Sequence, residues 1–124
     1  MDVSPEYVKM CEKAEEIQTA KVQYFQQHGN FFADSITPTP TWLISCDICF
    51  DLTQGPNRFI WLPRQDQLQE MIHSEYDPYF GAMLTHLMNF YNKIQSVYLT
   101  MEQLWLAFVM KEKYNKTWNG TDWK

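Results

Sequence analysis

Residues 99–114, Leu-Thr-Met-Glu-Gln-Leu-Trp-Leu-Ala-Phe-Val-Met-Lys-Glu-Lys-Tyr, constrain the fold more than any other stretch of the chain. Thr100 stands where a helix N-cap belongs and Gln103 follows three residues later. A capping box is therefore expected, each side chain satisfying an exposed backbone donor of the other. Leu99 and Leu104 fall at the positions of a hydrophobic staple. Leu104, Trp105, Leu106, Phe108, Val109 and Met110 leave little polar face, which predicts a helix buried on most sides. Lys111 and Lys113 come where the negative end of the helix dipole favours them. Such a helix must be wrapped by other elements, and 124 residues suffice for that. A chain of this size buries roughly two-thirds of its unfolded surface, so residues 1–124 are read as a single globular domain.

The other elements follow from local pattern. Ser4-Pro5-Glu6 is a helix start, with a capping serine, a proline in the first turn and an acid beside the positive end. Tyr7, Met10, Cys11, Ala14 and Ile17 recur at helical spacing, and the helix is expected to run to about Gln27, before His28-Gly29. Phe31-Phe32-Ala33 has the look of a short strand. Thr37-Pro38-Thr39-Pro40 breaks regular structure. Trp42, Ile44, Cys46, Ile48 and Phe50 alternate with more polar residues, which predicts a half-buried strand. The turn Thr53-Gln54-Gly55-Pro56-Asn57 would return it as a hairpin through Arg58 to Leu62. Pro63 opens a second helix with Leu68, Met71 and Ile72 inward. Asp77-Pro78 starts a third, in which Phe80, Met83, Leu84, Leu87, Tyr91, Ile94 and Tyr98 form an inward stripe. A Trp-Asn-Gly turn at Trp118 to Gly120 ends the fold. The expected class is α+β: an N-terminal helix, a small antiparallel β-hairpin or three-stranded sheet, then three helices with a buried C-terminal helix.

Four segments in this order, Tyr7-Val-Lys-Met-Cys-Glu-Lys-Ala-Glu-Glu-Ile-Gln18, Trp61-Leu-Pro-Arg-Gln-Asp-Gln-Leu-Gln-Glu-Met71, Thr100 to Tyr114 and Trp118-Asn-Gly-Thr-Asp-Trp123, carry a resemblance. They resemble a family of small uncharacterised proteins encoded in phages and prophages of Gram-positive bacteria. The resemblance covers about half of the chain and implies a genetic setting, hence an accessory role in a host cytoplasm. It brings no activity and no catalytic residues.

The chain holds no pattern that commits it to catalysis. Cys46-Asp47-Ile48-Cys49 has the spacing of half a zinc site, but a structural zinc needs four ligands. Cys11, His28, His73 and His86 are scattered singles. Within a strand, residues three apart point to opposite faces, so the two thiols would diverge. Glu70-x-x-His73 has the spacing of a di-iron helical motif, yet such sites need two of these motifs and two further glutamates. Arg64-Gln65-Asp66-Gln67 opens a helix, where an anion could bind, but Asp66 would compete with a phosphate and no glycine-rich loop precedes it. A pairing of Arg64 with Asp66 is the simpler expectation. No cofactor and no metal are expected.

Charge and aromatic content narrow the partner. Residues 1–77 carry twelve acids against five bases, and residues 78–124 three against five, for a net charge of −5 overall. A basic partner protein, from host or phage, would be steered to the acidic helices, with Glu12, Glu15, Glu16, Asp66 and Glu70 as the contact residues. The alternative is a single-stranded nucleic acid held by the C-terminal cluster Lys111, Lys113, Lys116, Trp118 and Trp123, where charge and stacking faces alternate. The acidic balance disfavours it. No charged segment followed by an apolar run opens the chain and no apolar stretch reaches membrane-spanning length, so a cytoplasmic setting is expected, with no membrane partner. Elemental analysis of the purified protein should show no stoichiometric zinc; about one zinc per chain, lost in Cys46→Ser, would contradict the strand reading of that pair.

Overall fold

A computed structural model of the chain describes residues 2–20, 30–34, 40–43, 59–76, 79–94 and 100–124. These fall into two compact units, one of residues 3–63 and the other of residues 1–2 with 64–124. The class is α+β.

In the first unit, helix α1 (Pro5–Lys13) starts as its sequence dictates: Ser4 Oγ accepts the Tyr7 N–H at 3.3 Å, with Pro5 in the first turn. The expected continuous helix is interrupted at Ala14, and α2 (Glu15–Ala20) resumes after it. No proline or glycine stands at the break. The Cys11 carbonyl accepts the Ala14 N–H at 3.1 Å, a tightened last turn, and also Gln18 Nε2 at 3.1 Å, so a side-chain amide joins the backbone ladder there. Residues 21–29, the remainder of the expected helix, lie outside the described residues.

The sheet has the order β2-β1-β3, all antiparallel, with β1 (Asn30–Asp34) between β2 (Pro40–Leu43) and β3 (Phe59–Leu62). This differs from the hairpin expected between Trp42–Phe50 and Arg58–Leu62, since β2 and β3 do not pair and β1 separates them. Phe31 faces Trp42 on one side and Leu62 on the other. Phe32 and Ala33 are both buried, and consecutive buried residues need cover on both faces, which suits a central strand. Strand β2 lies at an edge of this sheet, a position in which a proline such as Pro40 is tolerated. Residues 44–58, with the rest of that expected strand, its turn and the Cys46/Cys49 pair, lie outside the described residues.

Packing of α1 against β3 closes this unit. Gln18 holds the free edge of β3: its Nε2 donates to the Trp61 carbonyl at 2.8 Å and its Oε1 accepts the Trp61 N–H at 2.8 Å. One amide side chain thus does what a fourth strand would do for that residue. Tyr7 Oη donates to the Pro63 carbonyl at 2.6 Å, tying α1 to the end of β3.

The second unit is helical. Helix α3 (Gln65–Tyr76) begins two residues after Pro63, with the buried Gln67 accepting the Arg64 N–H at 2.9 Å through its Oε1. Leu68 and Ile72 are fully buried and Met71 is half-buried. Helix α4 (Phe80–Ile94) and helix α5 (Met101–Tyr114) complete it, α5 packing on both others.

Every residue of α5 from Gln103 to Met110 is buried, as its sequence predicts. At its N-terminus Thr100 Oγ1 accepts the Gln103 N–H at 3.2 Å, the half of the expected capping box that the cap residue supplies. The Gln103 side chain donates to Asp2 Oδ2 at 3.0 Å, as does Thr100 Oγ1 at 2.6 Å. The buried Asp2 carboxylate thus joins the cap at the positive end of the helix. At the other end Asn115 adopts a left-handed conformation (φ 54°) and its N–H reaches the Lys111 carbonyl at 3.0 Å, the αL cap, while the Lys116 N–H reaches the Met110 carbonyl at 3.1 Å. A tight turn follows: Asn119 Oδ1 accepts from the backbone of Thr121 and Asp122, Gly120 takes φ +100°, and Trp118 pairs with Trp123.

Leu87, Leu104 and Phe108 are buried as expected. The Phe108 ring lies 5.8 Å from that of Trp105, edge-on, and 5.7 Å from that of Phe90. Replacing Phe108 by alanine should cost about 3–5 kcal/mol, the usual range for a large core aromatic, read as a lower denaturation midpoint at constant m-value.

Candidate protein-binding face

Helix α4 carries more apolar surface than its unit covers. At about 100° per residue, Met83, Leu87, Phe90 and Ile94 fall on one arc, and this arc faces inward. Met83 and Leu87 are buried, and Phe90 and Ile94 half-buried. Phe80, Leu84, Met88 and Tyr91 fall on a second arc about a quarter-turn away. Together with Tyr79 just before the helix, these side chains are between 36% and 71% exposed. The inward stripe expected from the sequence therefore divides. Met83 and Leu87 belong to the core, while Phe80, Leu84 and Tyr91 form an outer ridge that also includes Met88. Tyr98 lies outside the described residues. The reason is geometric: α3 and α5 pack on the helix, and its eight apolar positions on these two arcs exceed what one covered face can take.

Contacts at the flank hold the ridge in place. The His73 ring lies 6.3 Å from that of Phe80, and the His86 ring 5.2 Å from that of Tyr76. Tyr76 Oη donates to Glu112 Oε2 at 3.1 Å, and Lys113 Nζ donates to the Met71 carbonyl at 3.0 Å. From Phe80 to Asn92 the helix has no formally charged residue; Lys93 comes after. Several apolar side chains exposed side by side on one helix mark a surface suited to protein contact, whereas isolated ones would not.

The acidic residues expected to contact a partner are distributed over both units. Glu12 and Glu15 are exposed and Glu16 half-buried in the first unit; Asp66 and Glu70 are exposed in the second. Asp66 is engaged: Arg64 Nε donates to its Oδ1 at 2.9 Å and Arg64 Nη2 to its Oδ2 at 3.1 Å. That hydrogen bonding to Arg64 holds its carboxyl below the usual range against the opposing effect of burial. Arg64 thus pairs within its own helix start, as expected.

The lysine–tryptophan cluster takes a different form from the one nucleic-acid stacking requires. Trp118 and Trp123 are buried, their ring centroids 5.1 Å apart and their planes tilted by 51°, so the rings are not open to solvent. Lys111 Nζ donates to Asn115 Oδ1 at 3.0 Å, Lys113 to Met71 as above, and Lys116 is half-buried. Glu70 and His73 are both exposed. Among the described residues no group of three or more metal-ligating side chains comes together, and no helix is long and apolar enough to cross a membrane.

Met88 is the residue that pattern reading passed over. Its signal was present in the spacing Phe80, Leu84, Met88, Tyr91, which is as regular as that of the core arc. Comparison with known proteins adds no family: no family model, no curated protein and no solved structure matches the chain.

The flank of the ridge yields a titration prediction. Burial, then the charge of Glu112, the hydrogen bond to that carboxylate and the charge of Glu75 push the Tyr76 phenol up from 10.0 to about 12. The folded state thus holds this proton more tightly than the unfolded chain. The resulting stabilisation is complete below the ordinary tyrosine range and is lost as pH rises from about 10 to about 12. In Glu112→Gln, ultraviolet difference titration should show one tyrosine ionising earlier than in the parent, and the difference should vanish in a Tyr76→Phe background. Superimposable curves would show that Glu112 does not act on this phenol.

Proposed function

We propose that the protein is a non-enzymatic accessory protein that acts by protein–protein interaction, through the exposed ridge of α4. The observation that carries this reading is that Phe80, Leu84, Met88 and Tyr91 lie side by side on one arc of α4 and are between 36% and 55% exposed. Keeping Phe80, Leu84 and Met88 in water forgoes burial at roughly 25 cal/mol per Å² of apolar surface. Contact with another protein surface recovers it.

The resemblance to phage and prophage proteins supports an accessory role in a host cytoplasm. The acidic residues Glu12, Glu15, Glu16, Asp66 and Glu70 act at longer range in this reading, keeping the protein soluble and influencing encounter rates rather than forming the contact. Nucleic-acid binding through the C-terminal cluster loses its main support with the burial of Trp118 and Trp123.

Placing a photo-crosslinking amino acid at position 88, with position 12 as the exposed control, tests the assignment in cells producing the full chain. Adducts should form from position 88 well above the control. Adducts from position 12 alone, or from neither position, would remove α4 as the binding face.

A further inference from the structure

We propose that the occupant of the α4 ridge is a second copy of this chain, bound as a two-fold antiparallel helix pair; this rests on the reading of α4 as the binding face. Three observations favour self-pairing. The first is the order of side chains along the ridge. Phe80, Leu84, Met88 and Tyr91 read aromatic, aliphatic, aliphatic, aromatic, and so read alike from either end. A two-fold axis near the level of residue 86 sets Leu84 of one copy against Met88 of the other, and Phe80 against Tyr91. A two-fold interface needs such a self-complementary patch, because each surface meets its own twin. The ridge spans about 16 Å from Phe80 to Tyr91, enough for three turns of each helix to lie along the other.

The second observation is charge. A symmetric pairing sets like beside like, so any charge near the axis would repel its copy. From Phe80 to Asn92 there is none, although the chain as a whole carries −5. The first turn of α4 also lacks an acid, so a basic partner finds no counter-charge there. The third is area. Phe80, Leu84, Met88 and Tyr91, between 36% and 55% exposed, offer on the order of 350 Å² per copy, hence about 700 Å² in the pair, below a standard interface and in the range of a weak, transient one. The dimer is accordingly one that forms and dissociates with concentration.

Sedimentation of the purified full chain between about 1 and about 200 µM is the test, a range suited to an interface at the low end of the size scale. The mass should rise from 14.9 kDa towards twice that value. The double variants Leu84→Glu with Met88→Glu, and Leu84→Lys with Met88→Lys, should each stay at the single-chain mass with unchanged far-ultraviolet circular dichroism. An equimolar mixture of the two should recover the dimer, since antiparallel pairing sets the new carboxylates of one copy against the new ammonium groups of the other. Should either charged variant fold poorly, Leu84→Ala with Met88→Ala should weaken the dimer about tenfold or more, as expected for contacts at the centre of an interface. Added salt should tighten the dimer, because it screens the repulsion between two acidic copies. A parent chain that stays at single-chain mass throughout, a dimer indifferent to these substitutions, a mixture that does not associate, or a dimer loosened by salt would each overturn the proposal. If the chain is monomeric while position 88 still crosslinks to a different protein, the binding face stands and only its occupant is wrong. If position 88 crosslinks to nothing, both readings fall.

Discussion

Burial of α5 on all sides is the constraint on which the helical unit depends. Eight consecutive buried residues, Gln103 to Met110, include two large aromatics and four aliphatic side chains. Each large apolar side chain contributes about 1.5–3 kcal/mol when fully removed from water. The two ends of α5 are more open, with Met101, Lys111, Glu112 and Lys113 exposed, and each is closed by a cap. Thr100 and Asp2 close the first and Asn115 the last. Asp2 and Thr100 are 98 positions apart in sequence, so the start of the chain completes the cap of its final helix.

The sheet unit meets a related difficulty with a single side chain. A three-stranded sheet has two edges, and the exposed edge of β3 would present the Trp61 N–H and carbonyl to any passing strand. Gln18 satisfies both, and the same amide also donates to the Cys11 carbonyl, which accepts the Ala14 N–H at 3.1 Å as well. The interruption at Ala14 and the protection of β3 therefore share one side chain.

Helix α4 packs on α3 and α5 with Met83 and Leu87 buried, and its remaining apolar residues are a surplus: Phe80, beside the His73 ring, Leu84 and Met88 keep 41–55% of their surface exposed. The functional proposal comes from this surplus rather than from any chemistry. The titratable groups near the ridge act structurally: Tyr76 binds Glu112, and Lys113 holds the end of α3.

Local pattern alone determined the α+β class, the starts of α1 and α5, the enclosed character of α5, the turn at Asn119-Gly120 and the pairing of Arg64 with Asp66. Each of these depends on residues close together in sequence, where spacing and capping chemistry fix the geometry. Tertiary structure decided the strand order, the break at Ala14, the role of Asp2 and the division of the α4 stripe. Periodicity shows that Phe80, Met83, Leu84 and Leu87 are apolar, but an exposed arc and a buried one have the same residue types, and only the number of neighbours that reach the helix separates them. Gln18 gives no local signal either, because a polar residue in a loosening apolar stripe looks like solvent-facing surface until the strand it clamps is in place. The same holds for Trp118 and Trp123: beside the lysines they resemble stacking faces, and only their closure upon each other assigns them to the fold.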